Sequence, residues 1–363
     1  MRHMASALQA APTSGCEPIS QQKNGGGAEA SGPKDSGGQG GDVKTRRSSP
    51  KKKYEPPFPG MNLSPARESI WLYDMEKMGK VPKLAAKDDM EGIGWDLILD
   101  ARSPAEYKDD HVPGAISTPV LDNSERAVVG TKYKTDRFTA RRIGAALISE
   151  SIAKILRSPV ISQLKSNSRV LVICWRGGER SHSLATILAR VGFKVGVLKG
   201  GYQAYRRRVR VYLEKMKSLK YIVISGPTGS GKTNFLKAIE RQGGQMIDIE
   251  ACAGHKGSIL GDSLTTPQPT QKIFEGLLAA KAEEMDIKRP VFIEDEGSRV
   301  GIRHLPIELW NTKKLAPRCR LIVPVDFRVR CIRDDYKYFE QKEHMDALCT
   351  RLKGLHRRGG EEG

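Results

Sequence analysis

Apolar and polar positions divide the chain into stretches of different period. Residues 1–57 are rich in Gly, Ser, Pro, Gln and charge, with runs at Gly25-Gly26-Gly27 and Gly37-Gly38. Such a composition buries too little apolar surface to fold, so a disordered tail is expected over 1–68, with order beginning near Ser69. Trp95-Asp96-Leu97-Ile98-Leu99-Asp100 reads as a buried strand ending in an acid. Ser103-Pro104 then has the chemistry of a helix start, Ser as N-cap and Pro in the first turn. His111-Val112-Pro113-Gly114-Ala115 is turn chemistry before another short strand. Val170-Leu171-Val172-Ile173 is an apolar strand that stops at Cys174. A helix is predicted from about Ser181 to Val191, with Leu184, Ile187, Leu188 and Val191 on one face. Val195 to Leu198 is the next strand, closed by Gly200-Gly201.

The alternation then repeats. Residues 202–220 read as a helical connector in which Arg206, Arg207, Arg208, Arg210, Lys215, Lys217 and Lys220 face one acid, Glu214. Tyr221 to Ser225 is a strand running straight into Gly226 and a helix, and further strands are predicted at Met246–Ile249, Val291–Ile293 and Leu321–Val325. Alternating strands and helices predict parallel α/β architecture. The expected organisation is a domain over 69–215 and a second over 216–358.

Charge changes this picture more than length does. Lys and Arg number 61 against 42 Asp and Glu, a net charge of +19 across 363 residues. A surplus of this size points to a polyanionic partner, nucleic acid above all. Lys44 to Lys53 is a basic run without acids, fitting a nuclear-type signal, a nucleic-acid arm or a plain solvated tail. No apolar run has the length of a bilayer span, and the opening residues lack an apolar signal-peptide core. The six cysteines are scattered, with no C-x-x-C pair. A disulfide framework and a zinc site are therefore not expected; a reducing intracellular compartment, cytoplasm or organelle, is. The expected state is a monomer without membrane association.

Cys174-Trp175-Arg176-Gly177-Gly178-Glu179-Arg180-Ser181 lies between a strand and a helix. Backbone N–H groups in such a turn form an anion-binding nest, and the helix N-terminus adds partial positive charge. With Arg176 and Arg180 close by, the thiolate of Cys174 is expected to be favoured. Cysteine phosphatases share the C-x5-R spacing but usually place His before the cysteine, where this chain has Ile173. Upstream, Leu99-Asp100-Ala101-Arg102-Ser103-Pro104-Ala105-Glu106-Tyr107 and His111-Val112-Pro113-Gly114-Ala115-Ile116 look like the rhodanese signature. Leu198-Lys199-Gly200-Gly201-Tyr202 resembles its closing segment, so the rhodanese reading is favoured.

Gly226-Pro227-Thr228-Gly229-Ser230-Gly231-Lys232-Thr233 matches G-x-x-x-x-G-K-T in full, strand before and helix after. Backbone N–H groups cradle a phosphate chain in such a loop, Lys232 neutralises it, and Thr233 is placed for Mg²⁺. Glu294-Asp295-Glu296 puts acids at a strand end, where a metal-shell carboxylate belongs. ATP is the default ligand, but any diphosphate satisfies the same physics.

Further segments follow in order: Asn123-Ser124-Glu125-Arg126-Ala127-Val128-Val129-Gly130 with Tyr133-Lys134; His255-Lys256-Gly257-Ser258 with Gly261; Gln268-Pro269-Thr270-Gln271 with Phe274-Glu275; and His304-Leu305-Pro306. A rhodanese domain followed by a P-loop domain carrying these segments resembles the tRNA 2-selenouridine synthase family, over roughly residues 93–355. The resemblance implies an enzyme that geranylates the sulfur of wobble 2-thiouridine with geranyl diphosphate. It then exchanges the S-geranyl group for selenium from selenophosphate. It implies catalytic roles for Cys174, as an S-selanylcysteine, and for Arg176 and Arg180. Ligand binding falls to Gly177, Gly178, Gly226, Gly229, Gly231, Lys232, Thr233 and Asp295. Substrate or tRNA contacts fall to Arg126, His255, Lys256, Ser258, Gln268 and Arg299. It implies selenophosphate and geranyl diphosphate as co-substrates, Mg²⁺ at Thr233, no tightly bound cofactor, and tRNA and a selenophosphate-supplying enzyme as partners. The basic stretch Arg206–Lys220 reads as a tRNA backbone contact or as a solvated helix face. Two departures stand out. Glu296 is followed by Gly297-Ser298-Arg299 where the family tends to have Ser-Arg directly, and residues 326–358 resemble the start of a helical stretch that the family carries further, so a shortened C-terminal end is expected. The rival readings are a sulfurtransferase fused to an ATPase or kinase, and a tRNA-binding protein without catalysis.

Overall fold

The structure is a computed structural model that describes residues 62–64, 67–78, 82, 94–258, 261, 266–337 and 349. Its first layer contains β1 (Asn62–Ser64), β2 (Arg67–Tyr73), α1 (Met75–Met78), β3 (Leu97–Asp100), α2 (Pro104–Asp109), β4 (Ile116–Ser117), α3 (Asn123–Thr135), α4 (Arg137–Arg157), α5 (Pro159–Ser162), β5 (Arg169–Ile173), α6 (Glu179–Val191) and β6 (Lys194–Leu198). Among the described residues its strands order as β1-β2-β6-β5-β3-β4, parallel except for the antiparallel β1–β2 pair. Leu97, Ile98 and Leu99, and Val170 through Ile173, are buried on both faces, the pattern of a parallel sheet covered on each side. Register pairs Leu99 with Val172 and Asp100 with Ile173. The carboxyl ends of β3 and β5 are therefore side by side, where ligands bind in open α/β sheets.

Helix α7 (Gly201–Lys215) leads to a second layer: β7 (Lys220–Ser225), α8 (Lys232–Arg241), β8 (Gln245–Ile247), α9 (Ile249–Ala253), α10 (Gln271–Glu284), β9 (Pro290–Glu294), β10 (Arg299–Val300), β11 (Arg303–His304), α11 (Ile307–Leu315), β12 (Arg318–Arg320) and α12 (Val325–Asp335). Strands β12-β7-β9-β8 form a parallel sheet in that order, and β10 with β11 an antiparallel pair. The parallel α/β architecture of the sequence reading stands in both layers.

The two sheets share a core. Tyr202, Tyr205, Val209 and Leu213 recur at helical spacing on the buried face of α7 and join a cluster running from Trp71 and Leu171 to Phe274, Leu278 and Leu309. A Cβ on Gly276 would stand 2.5 Å from the Tyr205 hydroxyl, so this glycine lets α10 approach α7 closely. The polar face of α7 is tied down as well. Arg206 pairs with Glu275 at 2.5 Å and with Asp110 at 3.5 Å, and Lys215 donates to the carbonyls of Ala282 and Met285.

Several expectations change. Arg206, Arg208 and Lys215 of the basic connector are held between the layers, leaving Arg207, Arg210, Lys217 and Lys220 exposed. The stretch is thus half internal scaffold, because its Tyr and Leu positions turn one face into the shared core. Leu184 and Leu188 of α6 are buried as expected, but Ile187 and Val191 are exposed, with Ser181, Ala185 and Ala189 completing the buried face. Small residues at 181, 185 and 189 let the helix lie close on the sheet, rotating Ile187 and Val191 outward. The strand expected at Leu321–Val325 lies at Arg318–Arg320, since Pro324 caps α12. The strand expected at Met246–Ile249 ends at Ile247, because Asp248 caps α9 through the Ala251 N–H at 2.7 Å. The tail expected over 1–68 lies outside the described residues up to 61, but β1 and the start of β2 fall within it, pairing backbone to backbone at the sheet edge.

Candidate active site

Cys174 leaves the end of β5 and is 3% exposed. Its Sγ accepts the Gly178 N–H at 3.2 Å and lies 3.1 Å from Ser181 Oγ, whose hydroxyl is also 3.0 Å from the Gly178 carbonyl. A backbone donor aimed at sulfur from the N-cap of α6 is the local part of the nest expected from the glycines. The loop is built on the turn from β6 to α7. Tyr202 N–H donates to Cys174 O at 2.9 Å and Gln203 N–H to Trp175 O at 3.2 Å. Gly177 and Gly201 adopt φ of +69° and +57°, and a Cβ on Gly201 would collide with Cys174 O and Gly177 N. Only glycine fits there.

The arginines divide. Arg180 Nη1 pairs with Glu106 Oε2 at 2.8 Å, and Arg126 Nε approaches the same oxygen at 3.8 Å. Burial pushes the Glu106 carboxyl up, but Arg180, the Ser103 N–H and Arg126 together outweigh it and hold the group below its usual range. Arg176 is exposed, its Nε donating to Gln203 at 3.3 Å. Beneath lies a buried frame. Arg102 forks onto Asp100, reaches the Asp110 carbonyl at 2.6 Å and stacks 4.0 Å over the Tyr202 ring. Asp110 in turn accepts from the Tyr202 hydroxyl at 2.8 Å. Such forked, ring-stacked pairing holds a guanidinium in one orientation.

The phosphate loop is the turn between β7 and α8. Gly229 and Gly231 take φ of +78° and +79°, and Gly229 faces Arg328 O and Ile332 of α12 so closely that a Cβ would lie 2.6 Å from the former. Lys232 Nζ donates to the Gly226 carbonyl at 3.1 Å, and Thr233 Oγ1 to Glu294 Oε1 at 3.0 Å. The loop opens into a cleft of about 730 Å³ lined by Lys232, Thr233, Asp248, Glu250, Glu296 and Tyr336 among others. Burial, then Glu294 and Glu296, pushes Glu250 up to about 8; burial, then Asp248, pushes Glu294 up to about 7. Crowded carboxyls with raised values beside a hydroxyl are the donor chemistry of a divalent-cation site. Among the described residues, no group of three or more His, Cys, Asp or Glu is arranged to hold a metal by itself. A cation here would take Thr233 and Glu294 and complete its shell with water and phosphate oxygens.

Of the residues implied for substrate contact, His255, Lys256 and Ser258 line this cleft. His255 Nδ1 accepts the Gly257 N–H at 3.0 Å, Lys256 Nζ donates to Asp335 O at 2.5 Å, and Ser258 Oγ meets the Tyr336 hydroxyl at 2.5 Å. Arg126 instead stands at the cysteine loop. Gln268 is a bracket, donating to Ala253 O and Val300 O and accepting from Ile302 N. Arg299 is exposed on β10. Asp295 turns away from the loop toward Lys313 and Arg318, at 3.8 and 3.6 Å. Glu294 is the carboxylate beside Thr233, because strand alternation sends neighbouring side chains to opposite faces. The register Ile224 to Glu294 is the signal that finds it. Glu106 and Glu250 also went unassigned in the sequence reading; Glu106 sits in the quoted signature, but its bond to Arg180 spans 74 residues of sequence.

A family model for the tRNA 2-selenouridine synthase AAA domain matches residues 219–357, and one for the rhodanese-like domain matches residues 83–208. Among curated proteins, the tRNA 2-selenouridine synthase of a Sulfurovum species is 34% identical, over 71% of this chain and 72% of its own. That of Nitrosomonas europaea is 32% identical over 66% and 63%, and that of Cronobacter sakazakii 32% over 69% and 67%. The match thus spans less than two thirds of the Nitrosomonas protein. Among solved structures, the N-terminal domain of a putative ATP/GTP binding protein from Clostridium difficile 630 is 31% identical, over 38% of this chain and 98% of its own, with a TM-score of 0.31.

Proposed function

Because the chain belongs to the tRNA 2-selenouridine synthase family, we propose that it modifies tRNA, converting wobble 2-thiouridine to 2-selenouridine by way of S-geranyl-2-thiouridine. The observation that carries this reading is the joining of two glycine-built anion loops, at Cys174 and at Lys232, through one helix and one core. Geranyl transfer suits the second loop. The thiocarbonyl sulfur attacks C1 of geranyl diphosphate, the C–O bond breaks, and diphosphate leaves with the electron pair. Loop N–H groups and Lys232, released from Gly226 O, stabilise that growing charge.

The second step suits Cys174. In the carrier role, Sγ attacks selenium and the Se–P bond breaks, giving Cys–S–Se⁻. The bonding pair then stays on phosphorus, so phosphite is released. Selenium attached to C2 displaces geranylthiolate, and a thiol reductant cleaves the S–Se bond. Release of phosphate would instead mean that selenophosphate selenium attacks C2 directly and water cleaves Se–P, with the Cys174 loop only cradling the donor. The test is nucleoside mass spectrometry of thiolated tRNA incubated with enzyme, geranyl diphosphate, selenophosphate and a thiol, with ³¹P NMR of the same mixture. S-geranyl and then selenium-containing uridine are expected. ATP hydrolysis without either product would favour a sulfurtransferase fused to an ATPase.

A further inference from the structure

Beyond Arg126 and Asn123 at its start, the α3–α4 hairpin takes no part in the two loops, and its chemistry is distinctive. From Arg126 to Arg142 the sequence carries Arg126, Lys132, Lys134, Arg137, Arg141 and Arg142 against a single acid, Asp136. That acid is occupied as the N-cap of α4, accepting from Thr139 N–H at 3.0 Å. Helix α3 buries none of its residues, and α4 turns only Ala140, Gly144 and later positions inward. The cations from Lys132 to Arg142 are exposed, and among the described residues no salt bridge holds them, although Asp136 lies close enough to Lys132 to feel its charge. Two aromatic rings stand among them. Phe138 is 79% exposed at the start of α4, and Tyr133 is 43% exposed with Arg137 5.8 Å over its ring. Exposed rings beside guanidinium groups offer flat faces for stacking together with positive charge.

The hairpin is also tied to the cysteine loop. Asn123 Oδ1 accepts the Ala105 N–H at 2.9 Å, and Arg126 shares Glu106 with Arg180. From that anchored end α3 runs ~15 Å to its basic tip, at 1.5 Å per residue. The tip is thus within a few nucleotides' reach of a base at Cys174.

We propose that the α3–α4 hairpin docks the single-stranded loop of the RNA substrate, with Lys132, Lys134, Arg137, Arg141 and Arg142 on phosphates and Phe138 and Tyr133 stacking on unpaired bases. This assignment rests on the tRNA reading above. Exposed aromatics interleaved with arginines are how proteins bind unstacked bases, whereas cations alone serve any polyanion.

The test is fluorescence anisotropy on the full chain, with a labelled thiolated anticodon stem-loop and a duplex of equal length, across a salt series. The triple variant Arg137→Ala, Arg141→Ala, Arg142→Ala is expected to weaken stem-loop binding at least tenfold and to lower the salt slope by about 2, at ~0.7 per single-strand phosphate contact. Phe138→Ala is expected to weaken the stem-loop more than the duplex. These positions are exposed, so both variants should keep the wild-type melting temperature. If wild type binds the stem-loop and the triple variant matches it in affinity and slope, the hairpin assignment falls alone. If Phe138→Ala weakens stem-loop and duplex equally, docking of unpaired bases is overturned in favour of a general polyanion surface. If wild type binds no RNA, the tRNA reading falls too.

Discussion

The cysteine loop and the phosphate loop are both glycine turns from a parallel strand into a helix, yet they stand in different conditions. At the first, the charges are already matched: Sγ has its N–H donor and Arg180 has Glu106. At the second, Lys232 folds back on its own loop, and the facing carboxyls are pushed up by burial and by one another. The first is preorganised by its own residues. At the second, an anion that drew Lys232 off Gly226 O, and a cation or protons at the acids, would complete the charge balance. On the proposed reading, the first loop has to hold one sulfur in place, and the second has to aim its N–H groups and Lys232, once off Gly226 O, at a departing diphosphate.

The sharpest way to break this comparison is at sulfur. Cys174→Ser should abolish selenium incorporation while leaving S-geranylation intact, read by nucleoside mass spectrometry; a mutant that still makes selenouridine removes the cysteine from the chemistry. Next is Lys232→Ala, for which geranyl transfer should fall by about 10²–10³, the usual cost of one donor to a developing anion. An unchanged single-turnover rate would move the diphosphate elsewhere.

A structural prediction separates the loops further. Gly201→Ala places a methyl against Cys174 O and Gly177 N at a φ of +57°. It should cost roughly 2–5 kcal/mol in urea unfolding, from left-handed backbone strain plus overpacking. No such penalty is expected at Gly178, where a Cβ meets nothing within 4 Å.

The smallest effect concerns pH. Glu250 and Glu294 have folded values of about 8 and about 7 against 4.5. Between those values the folded state binds more protons than the unfolded one, so stability falls as pH rises from about 4.5 toward 8. Glu294→Gln should raise the melting temperature relative to wild type at pH 8 and leave it nearly unchanged near pH 4.5. An equal shift at both values would contradict the burial argument.

The sequence made the loops legible for a specific reason. Cys174 to Ser181 and Gly226 to Thr233 are local: each motif carries its own strand, turn and helix N-terminus. The strand runs predicted at 95–100, 170–173 and 221–225 fall on β3, β5 and β7, because buried parallel strands are continuous apolar runs. What escaped depends on distant partners. Arg180 looked like an anion ligand until Glu106 appeared beside it. Arg206 looked like an RNA contact until Asp110 and Glu275 did. Glu294 closes β9 and Asp295 follows it, pointing the other way, and nothing local in the sequence says which of the two meets Thr233. Helix α3 has no buried residue at all, so its apolar spacing announced nothing.

The most direct test of two loops serving two steps is to supply the intermediate. tRNA already carrying S-geranyl-2-thiouridine is given to Lys232→Ala and to Cys174→Ser with selenophosphate and a thiol, and selenouridine is quantified by mass spectrometry. The account expects Lys232→Ala to form selenouridine at the wild-type rate and Cys174→Ser to form none. Failure of Lys232→Ala on this substrate, or success of Cys174→Ser, would contradict the division of labour between the loops.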